Sequence, residues 1–316
     1  MEKNFNASLY VSILPVTGRW SVRAPVIHSQ SFGISIRARL KLDSSKMKQH
    51  LKNPMVWFFL VAFGLPWLGW SSIRFFGLDE PSALRTALFY TGDFCSVGGV
   101  VAMYVQSGKA GVIDLLKRCF RVNVSPLWWL IVLVLPFTIS FTGYLVVGAL
   151  GGEIGTINFP DLSIYLAMPA LMAITTGPLG EELGWRGYLT PKLLETQNAI
   201  IVSLIVGFLW GIWHLPLYLT SVFSSFAGSI EFIIGLMLTS VIMTAILLHT
   251  RGSVLLAVIY HWMMNTSGSL ITSALPEFGA DKQAAYMVSD LGVQAVFVLI
   301  FIMVLGKDLA GKGRRE

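Results

Sequence analysis

Residues 177–188 read GPLGEELGWRGY and place two glutamates and one arginine close together in one of the most apolar parts of the chain. An ionisable side chain near the centre of a lipid bilayer costs about 2.5 kcal/mol or more. Such residues are therefore usually paired, buried among other helices and functional. If the surrounding chain lies in a membrane, this stretch marks the position of a polar site.

The composition indicates that the chain does lie in a membrane. Its 316 residues are 54% hydrophobic and only 13% charged, whereas soluble domains carry about 25% charged residues. The mean hydropathy is +0.69, and several apolar runs approach the ~20 residues that cross a hydrocarbon core. We therefore predict an all-α, polytopic transmembrane bundle of about eight helices, near 54–75, 85–106, 127–150, 163–189, 199–221, 230–250, 253–273 and 286–306.

The net charge of +6 comes from Lys and Arg residues whose positions indicate how the chain crosses the membrane. Lys and Arg lie at the ends of apolar runs, as in SGKAGVIDLLKRCFRV after the second predicted helix and GKDLAGKGRRE at the end of the chain. Because Lys and Arg favour the cytoplasmic side, both termini are predicted to be cytoplasmic. This distribution argues against nucleic acid as a partner. It favours a multi-pass membrane protein with lipid as a partner, and it leaves the oligomeric state open.

The chain divides into four predicted segments. Residues 1–46 form a basic extension, 47–124 hold the first two helices and a basic connection, 125–275 form the core, and 276–316 hold the last helix and a basic tail. The extension is rich in Arg and poor in acids, which fits a targeting peptide. A disordered tail, or an extension upstream of a start at Met47, fits it as well.

The opening stretch has a definite geometry if it is helical. Glu182 and Arg186 are four residues apart and share one face, whereas Glu181 points about 100° away from its neighbour. The arginine can therefore neutralise one carboxylate while the other projects elsewhere. Pro178 predicts a kink or a helix start just upstream. Taken alone, the stretch is equally consistent with an ion pair that only fixes helix packing.

Two further polar groups of residues favour a shared site. The fifth predicted helix contains FLWGIWHLPLY, in which Trp210 and His214 are four residues apart, and the seventh contains VIYHWMMNTSG, with His261 and Asn265 at the same spacing. A single histidine on an apolar helix is usually a core residue with a satisfied hydrogen bond. Here two histidines lie deep in two different predicted helices, and a third helix supplies a pair of carboxylates.

The three motifs together resemble the signature of the CAAX prenyl endopeptidase and bacteriocin-processing (CPBP) family of intramembrane proteases, also called the Abi family. The family pattern is Glu-Glu-x-x-x-Arg, an aromatic residue-x-x-x-His, and His-x-x-x-Asn on successive helices. Here it is formed by Glu181, Glu182, Arg186, Trp210, His214, His261 and Asn265. The resemblance covers roughly residues 125–275, and tryptophan replaces the phenylalanine that is frequent in the second motif.

The resemblance implies an intramembrane endopeptidase of the plasma membrane that opens toward the cytoplasm, with a membrane-associated peptide or protein as its partner. In such an enzyme Glu181 is the base that activates water and His214 is its partner. His261 and Asn265 stabilise the oxyanion, and the arginine of the first motif holds the second glutamate. The eukaryotic relatives cleave prenylated CAAX tails, and prokaryotic members are linked to peptide processing, bacteriocin immunity and maturation of membrane proteins. The sequence does not choose among these substrates.

A metal-dependent version of the same reaction stays open. Glu181, His214 and His261 make a set of two histidines and one carboxylate, like the sets that hold catalytic zinc with an open position for water. The more diagnostic His-Glu-x-x-His motif of zinc proteases is absent from the sequence. Zinc is thus the one cofactor that the residues suggest, and the metal-free scheme requires none.

Two other classes of function also stay open. Buried Glu, His and Arg build proton relays in ion-coupled transporters, although the sequence lacks the paired halves common in such proteins. A non-catalytic immunity or scaffold protein would tolerate alanine at every position of the motif.

Overall fold

The apolar runs form α-helices. A computed structural model of the chain describes residues 52–78, 80–150, 177–273 and 280–311, and within these ranges the secondary structure is helical, without a β-strand. The all-α prediction is confirmed. The predicted extension at 1–46 and the first part of the predicted helix 163–189 lie outside the described residues.

The helices are, in chain order, α1 (Pro54–Ala62), α2 (Gly64–Phe75), α3 (Ala83–Phe89), α4 (Phe94–Arg118), α5 (Pro126–Ala149), α6 (Pro178–Glu182), α7 (Thr190–Leu194), α8 (Ala199–Trp213), α9 (Leu215–Tyr218), α10 (Phe226–His249), α11 (Val254–Ser273) and α12 (Ala280–Leu305). A π-helical segment, Leu183–Leu189, joins α6 to α7, and 3₁₀ turns cover Tyr90–Asp93 and Val222–Ser224.

Four helices begin where the sequence supplies a polar cap. The side-chain oxygens of Asn53, Ser82, Asn198 and Ser225 accept hydrogen bonds from backbone N–H groups in the first turns of α1, α3, α8 and α10.

Six stretches of the described chain are long and apolar enough to cross a membrane: Pro54–Phe75, Ala83–Arg118, Pro126–Ala149, Phe226–His249, Val254–Ile271 and Ala285–Leu305. Each corresponds to one of the predicted transmembrane helices. The predicted helix 199–221 is shorter, because α8 ends after 15 residues with His214 as its C-cap. Pro216 explains the break, because it has no backbone N–H to donate to the carbonyl of Ile212, four residues earlier, and its ring clashes with that carbonyl. His214 therefore lies at a helix end rather than within a helix.

The first membrane helix is broken into α1 and α2 at Phe63. Pro66 explains the break, because its ring clashes with the carbonyl group four residues earlier, which belongs to Ala62. The Nε1 atom of Trp213 donates a hydrogen bond to this displaced carbonyl at 2.6 Å. The break in the first helix thus anchors the end of α8, next to His214.

Glycines allow the helices that carry the site to approach closely. A Cβ on Gly99 would lie 2.7 Å from the carbonyl oxygen of Leu183, and one on Gly184 would lie 2.5 Å from that of Cys95. Helix α4 is therefore packed directly against the π-helical segment. A Cβ on Gly207 would collide with the backbone of Met237, so α8 and α10 are in the same close contact that small residues permit between membrane helices.

The second membrane helix is longer than the predicted 85–106. Helix α4 continues to Arg118, with a break at Gly108, whose φ of 62° and ψ of −158° only glycine adopts readily. The basic connection that was predicted after residue 106 is thus largely helical. The break separates an apolar membrane segment from an amphipathic one.

Candidate active site

The two glutamates of the first motif lie at a change of helix type. Glu181 and Glu182 are the last residues of α6, and the chain continues as the π-helical segment Leu183–Leu189. A regular α-helix was expected here, so this expectation was wrong in detail. Single π-helical turns occur frequently at functional sites. The wider turn keeps Glu182 and Arg186 on one face, and their predicted pairing is present.

Glu182 is the centre of a buried network of charges. Its carboxylate accepts from Nη1 of Arg186 at 3.0 and 3.1 Å, and neither side chain is exposed to solvent. The same carboxylate lies 2.9 Å from Nδ1 of His261 on α11. One glutamate therefore joins the first motif to the third. The sequence predicted the contact with Arg186 from spacing alone, but it did not predict the contact with His261.

Glu181 points toward a different helix, as the predicted 100° rotation requires. Its Oε2 accepts a hydrogen bond from Nε1 of Trp210 at 2.5 Å. The Trp210 ring also contacts the other motif residues, since the Arg186 guanidinium carbon lies 4.4 Å from its centroid and the His261 ring 4.9 Å away, edge to face. Trp210 was not predicted as a site residue. A signal was present, because a buried indole N–H usually has a hydrogen-bond partner, and nearby helices offered a carboxylate.

Hydrogen bonds fix the orientation of both histidines. Nδ1 of His214 lies 2.9 Å from the backbone carbonyl of Trp210. Because a carbonyl only accepts, this nitrogen carries a proton. Nδ1 of His261 likewise donates to the carboxylate of Glu182. Both imidazoles therefore present Nε2 as the atom available for chemistry.

Asn265 stands apart from the other motif residues. It lies one turn after His261 on α11, but its side chain is exposed and makes no hydrogen bond with the described residues. The structure thus brings together Glu181, Glu182, Arg186 and both histidines around Trp210, and it leaves Asn265 at the edge of the group.

The described residues do not form a ready metal site. In the described ranges no three His, Cys, Asp or Glu side chains converge as metal ligands would. Glu181, His214 and His261 each contact the side chain of Trp210. Glu182, a second carboxylate of this group, already contacts Arg186 and His261.

Comparison with known proteins supports the resemblance. A family model described as "Type II CAAX prenyl endopeptidase Rce1-like" matches residues 163–267, a range that contains all three motifs. The match supports the resemblance of this chain to the CPBP family. It is also 27% identical over 169 residues to CAAX prenyl protease 2 of Methanococcus maripaludis, and the match covers 50% of this chain and 62% of that relative. The six long apolar helices and these matches together indicate an integral membrane protein.

Proposed function

We propose that the protein is an intramembrane endopeptidase that hydrolyses peptide bonds with a water activated by Glu181. The observation that carries this proposal is that two adjacent buried carboxylates have different contacts. Among the described residues, the Glu182 carboxylate is contacted by Arg186 and His261, whereas the Glu181 carboxylate accepts a hydrogen bond through one oxygen from Trp210. A buried carboxylate that is oriented but not neutralised by an ion pair is suited to act as a general base.

In the proposed reaction Glu181 takes a proton from water, and the water oxygen attacks the carbonyl carbon of the substrate peptide bond. His214 positions this water through Nε2. The resulting oxyanion accepts hydrogen bonds from the Nε2–H of protonated His261 and from the amide of Asn265, one helical turn away. The proton on Glu181 then passes to the leaving amine as the C–N bond breaks, which restores the carboxylate.

We propose a prenylated C-terminal CAAX peptide as the substrate class. Both the family model and the Methanococcus relative carry CAAX prenyl protease in their names. A lipid-modified peptide fits a site that is placed among membrane helices, because its hydrocarbon chain can stay in the bilayer during cleavage. The positive-inside distribution of Lys and Arg supports a site that opens to the cytoplasmic face of the plasma membrane.

Cleavage of a prenylated CAAX peptide by purified protein in nanodiscs tests the proposal. Glu181→Gln keeps an oxygen that can accept from Trp210, so the fold should be retained while cleavage falls by about a hundredfold or more. Glu195→Gln is the matched control, because Glu195 is exposed and pairs only with Lys192. Wild-type cleavage by a Glu181→Gln protein with a wild-type melting temperature would refute the role of Glu181. An unprenylated peptide of the same sequence tests the substrate class separately.

The role of metal needs its own measurement. Chelator treatment and elemental analysis of the active protein should leave cleavage unchanged if the side chains act alone. Loss of cleavage that returns with zinc would assign the reaction to a metal-activated water instead.

A further inference from the structure

One end of the bundle carries a group of arginines that the proposed reaction does not use. Arg118 ends α4, Arg121 follows three residues later, and Arg251 lies in the turn between α10 and α11. A Cβ on Gly252 would lie 3.5 Å from Cδ of Arg118 and 3.9 Å from Nη1 of Arg121. Two connections that are distant in sequence therefore bring three arginines around a single glycine.

The contacts that hold this group in place do not neutralise it. Arg121 donates through Nη1 to the backbone carbonyl of Arg251, and Arg251 donates through Nη2 to the backbone carbonyl of Asn123. A carbonyl group carries no net charge. Among the described residues the acidic partner of the group is Asp114, which lies 3.3 Å from Arg118, and neither Arg121 nor Arg251 has an ion pair. Two adjacent positive charges are thus left for an external anion.

The backbone at Arg251 supports a specific use of this side chain. Helix α10 ends in a Schellman arrangement, in which the N–H of Gly252 donates to the carbonyl of Leu247 at 2.8 Å. Arg251 occupies the left-handed position, with a φ of 55°, where glycine is usual and a side chain costs free energy. Residues with strained backbone of this kind cluster at functional sites.

The surroundings of the group match the surface of a membrane. Beyond the break at Gly108, the side chains of Ile113, Leu116 and Phe120 are exposed, and Phe120 is 80% exposed. Their spacing places them on one side of the segment, and Lys117 adds a further exposed positive charge. Basic residues beside exposed apolar ones are typical of a segment that lies in the interface between lipid and water.

We propose that Arg121 and Arg251, together with Lys117, bind the phosphate of an anionic phospholipid, whose acyl chains extend along Leu116 and Phe120. A guanidinium group matches phosphate geometry with two parallel hydrogen bonds. The positive-inside rule predicts that this end faces the cytoplasmic leaflet, which contains the anionic lipids. The exposed apolar side chains favour a lipid over a soluble anion, because they offer contact to hydrocarbon chains.

Titration of fluorescent phosphatidylglycerol against the full-length protein in neutral detergent micelles tests this site. Arg121→Gln/Arg251→Gln removes two charges but keeps N–H donors for the two carbonyl contacts. We expect affinity to fall roughly fivefold for each arginine and roughly thirtyfold for both. Lys52→Gln/Lys307→Gln is the matched control, because it removes the same charge from exposed residues that flank other helices. The control should bind like wild type, and inorganic phosphate should not displace the lipid.

Several outcomes would overturn the site. Equal losses in both double variants would mean diffuse attraction to the basic end, and displacement by inorganic phosphate would mean a site for soluble anions. Wild-type binding by the arginine variant, together with a lower melting temperature, would mean that the two arginines only hold together the connection after α4 and the turn between α10 and α11. If the glutamine pair does not fold, Arg121→Lys/Arg251→Lys keeps the charge but loses the planar fork. A clear loss of affinity in that variant is expected, and unchanged affinity would also refute the proposal.

Discussion

Replacing Glu182 with glutamine should damage the fold far more than the same change at Glu181. Arg186 has no solvent exposure, and Glu182 is its ion-pair partner in the described part of the chain. Removing one member of a buried ion pair leaves an uncompensated charge and costs about 3–5 kcal/mol. Glutamine at position 181 exchanges a charged hydrogen bond to Trp210 for a neutral one, which costs about 1 kcal/mol.

Thermal unfolding in nanodiscs, followed by tryptophan fluorescence, measures this difference. Each kcal/mol shifts the melting temperature of a domain of this size by about 2–4 °C. Glu182→Gln should therefore melt about 6–20 °C below wild type, and Glu181→Gln only about 2–4 °C below it.

The double variant Glu182→Gln/Arg186→Met supplies the control. It removes the unpaired charge and should recover much of the loss, because apolar replacements of buried ion pairs are often neutral. If Glu182→Gln melted within a few degrees of Glu181→Gln, or if the double variant were less stable than the single one, Glu182 would not be the stabilising partner of Arg186.

Three further changes test other contacts of the site. Trp210→Phe keeps a ring beside His261 but loses the hydrogen bond to Glu181, so kcat for the CAAX peptide should fall about tenfold; an unchanged kcat would show that this bond does not position the base. Gly207→Ala should lower the melting temperature, because the new methyl group meets backbone on α10 and overpacking costs about 1–3 kcal/mol. Gly64→Ala, where a Cβ meets nothing within 4 Å, should not lower it, and equal shifts would contradict close helix packing at Gly207. Arg118→Gln should remove the 2.7 Å hydrogen bond to the carbonyl of Gly187 and speed amide hydrogen exchange in Leu183–Leu189; protection equal to wild type would show that this bond does not stabilise the π-helical segment.

The sequence predicted those features that depend on neighbours along one helix. The apolar runs located the membrane helices, and the spacing of Glu182 and Arg186 predicted their ion pair, because residues four apart share a face whether the turn is α-helical or somewhat wider. Gly184 and Gly207 carry a further signal in the sequence, because small residues let another membrane helix approach closely. Pro216 also carried a usable signal for the end of α8, since a proline cannot donate the backbone hydrogen bond that would continue the helix.

Features that depend on two helices could not be derived in this way. The contact of His261 with Glu182 requires the relative rotation of α11 and α6, which periodicity within either helix does not contain. The extension of α4 past Gly108 was missed because glycine in a run of polar residues predicts a loop, whereas here the helix resumes after one left-handed residue. The position of Asn265 outside the buried network also depends on how α11 is rotated.

The adjacency of the two glutamates explains why so few residues can organise this site. Consecutive residues on a helix point about 100° apart, so one turn of α6 can direct Glu182 to His261 on α11 and Glu181 to Trp210 on α8. A single carboxylate could not both link the helices through an ion pair and act as an unpaired base. With two, Arg186 and Glu182 form a neutral unit that fixes the three helices, and the charge on Glu181 is left for the substrate. The order of the two glutamates therefore matters. Exchanging the roles, by moving the arginine one position earlier so that it faces Glu181, would neutralise the base and leave Glu182 as an unpaired charge beside His261.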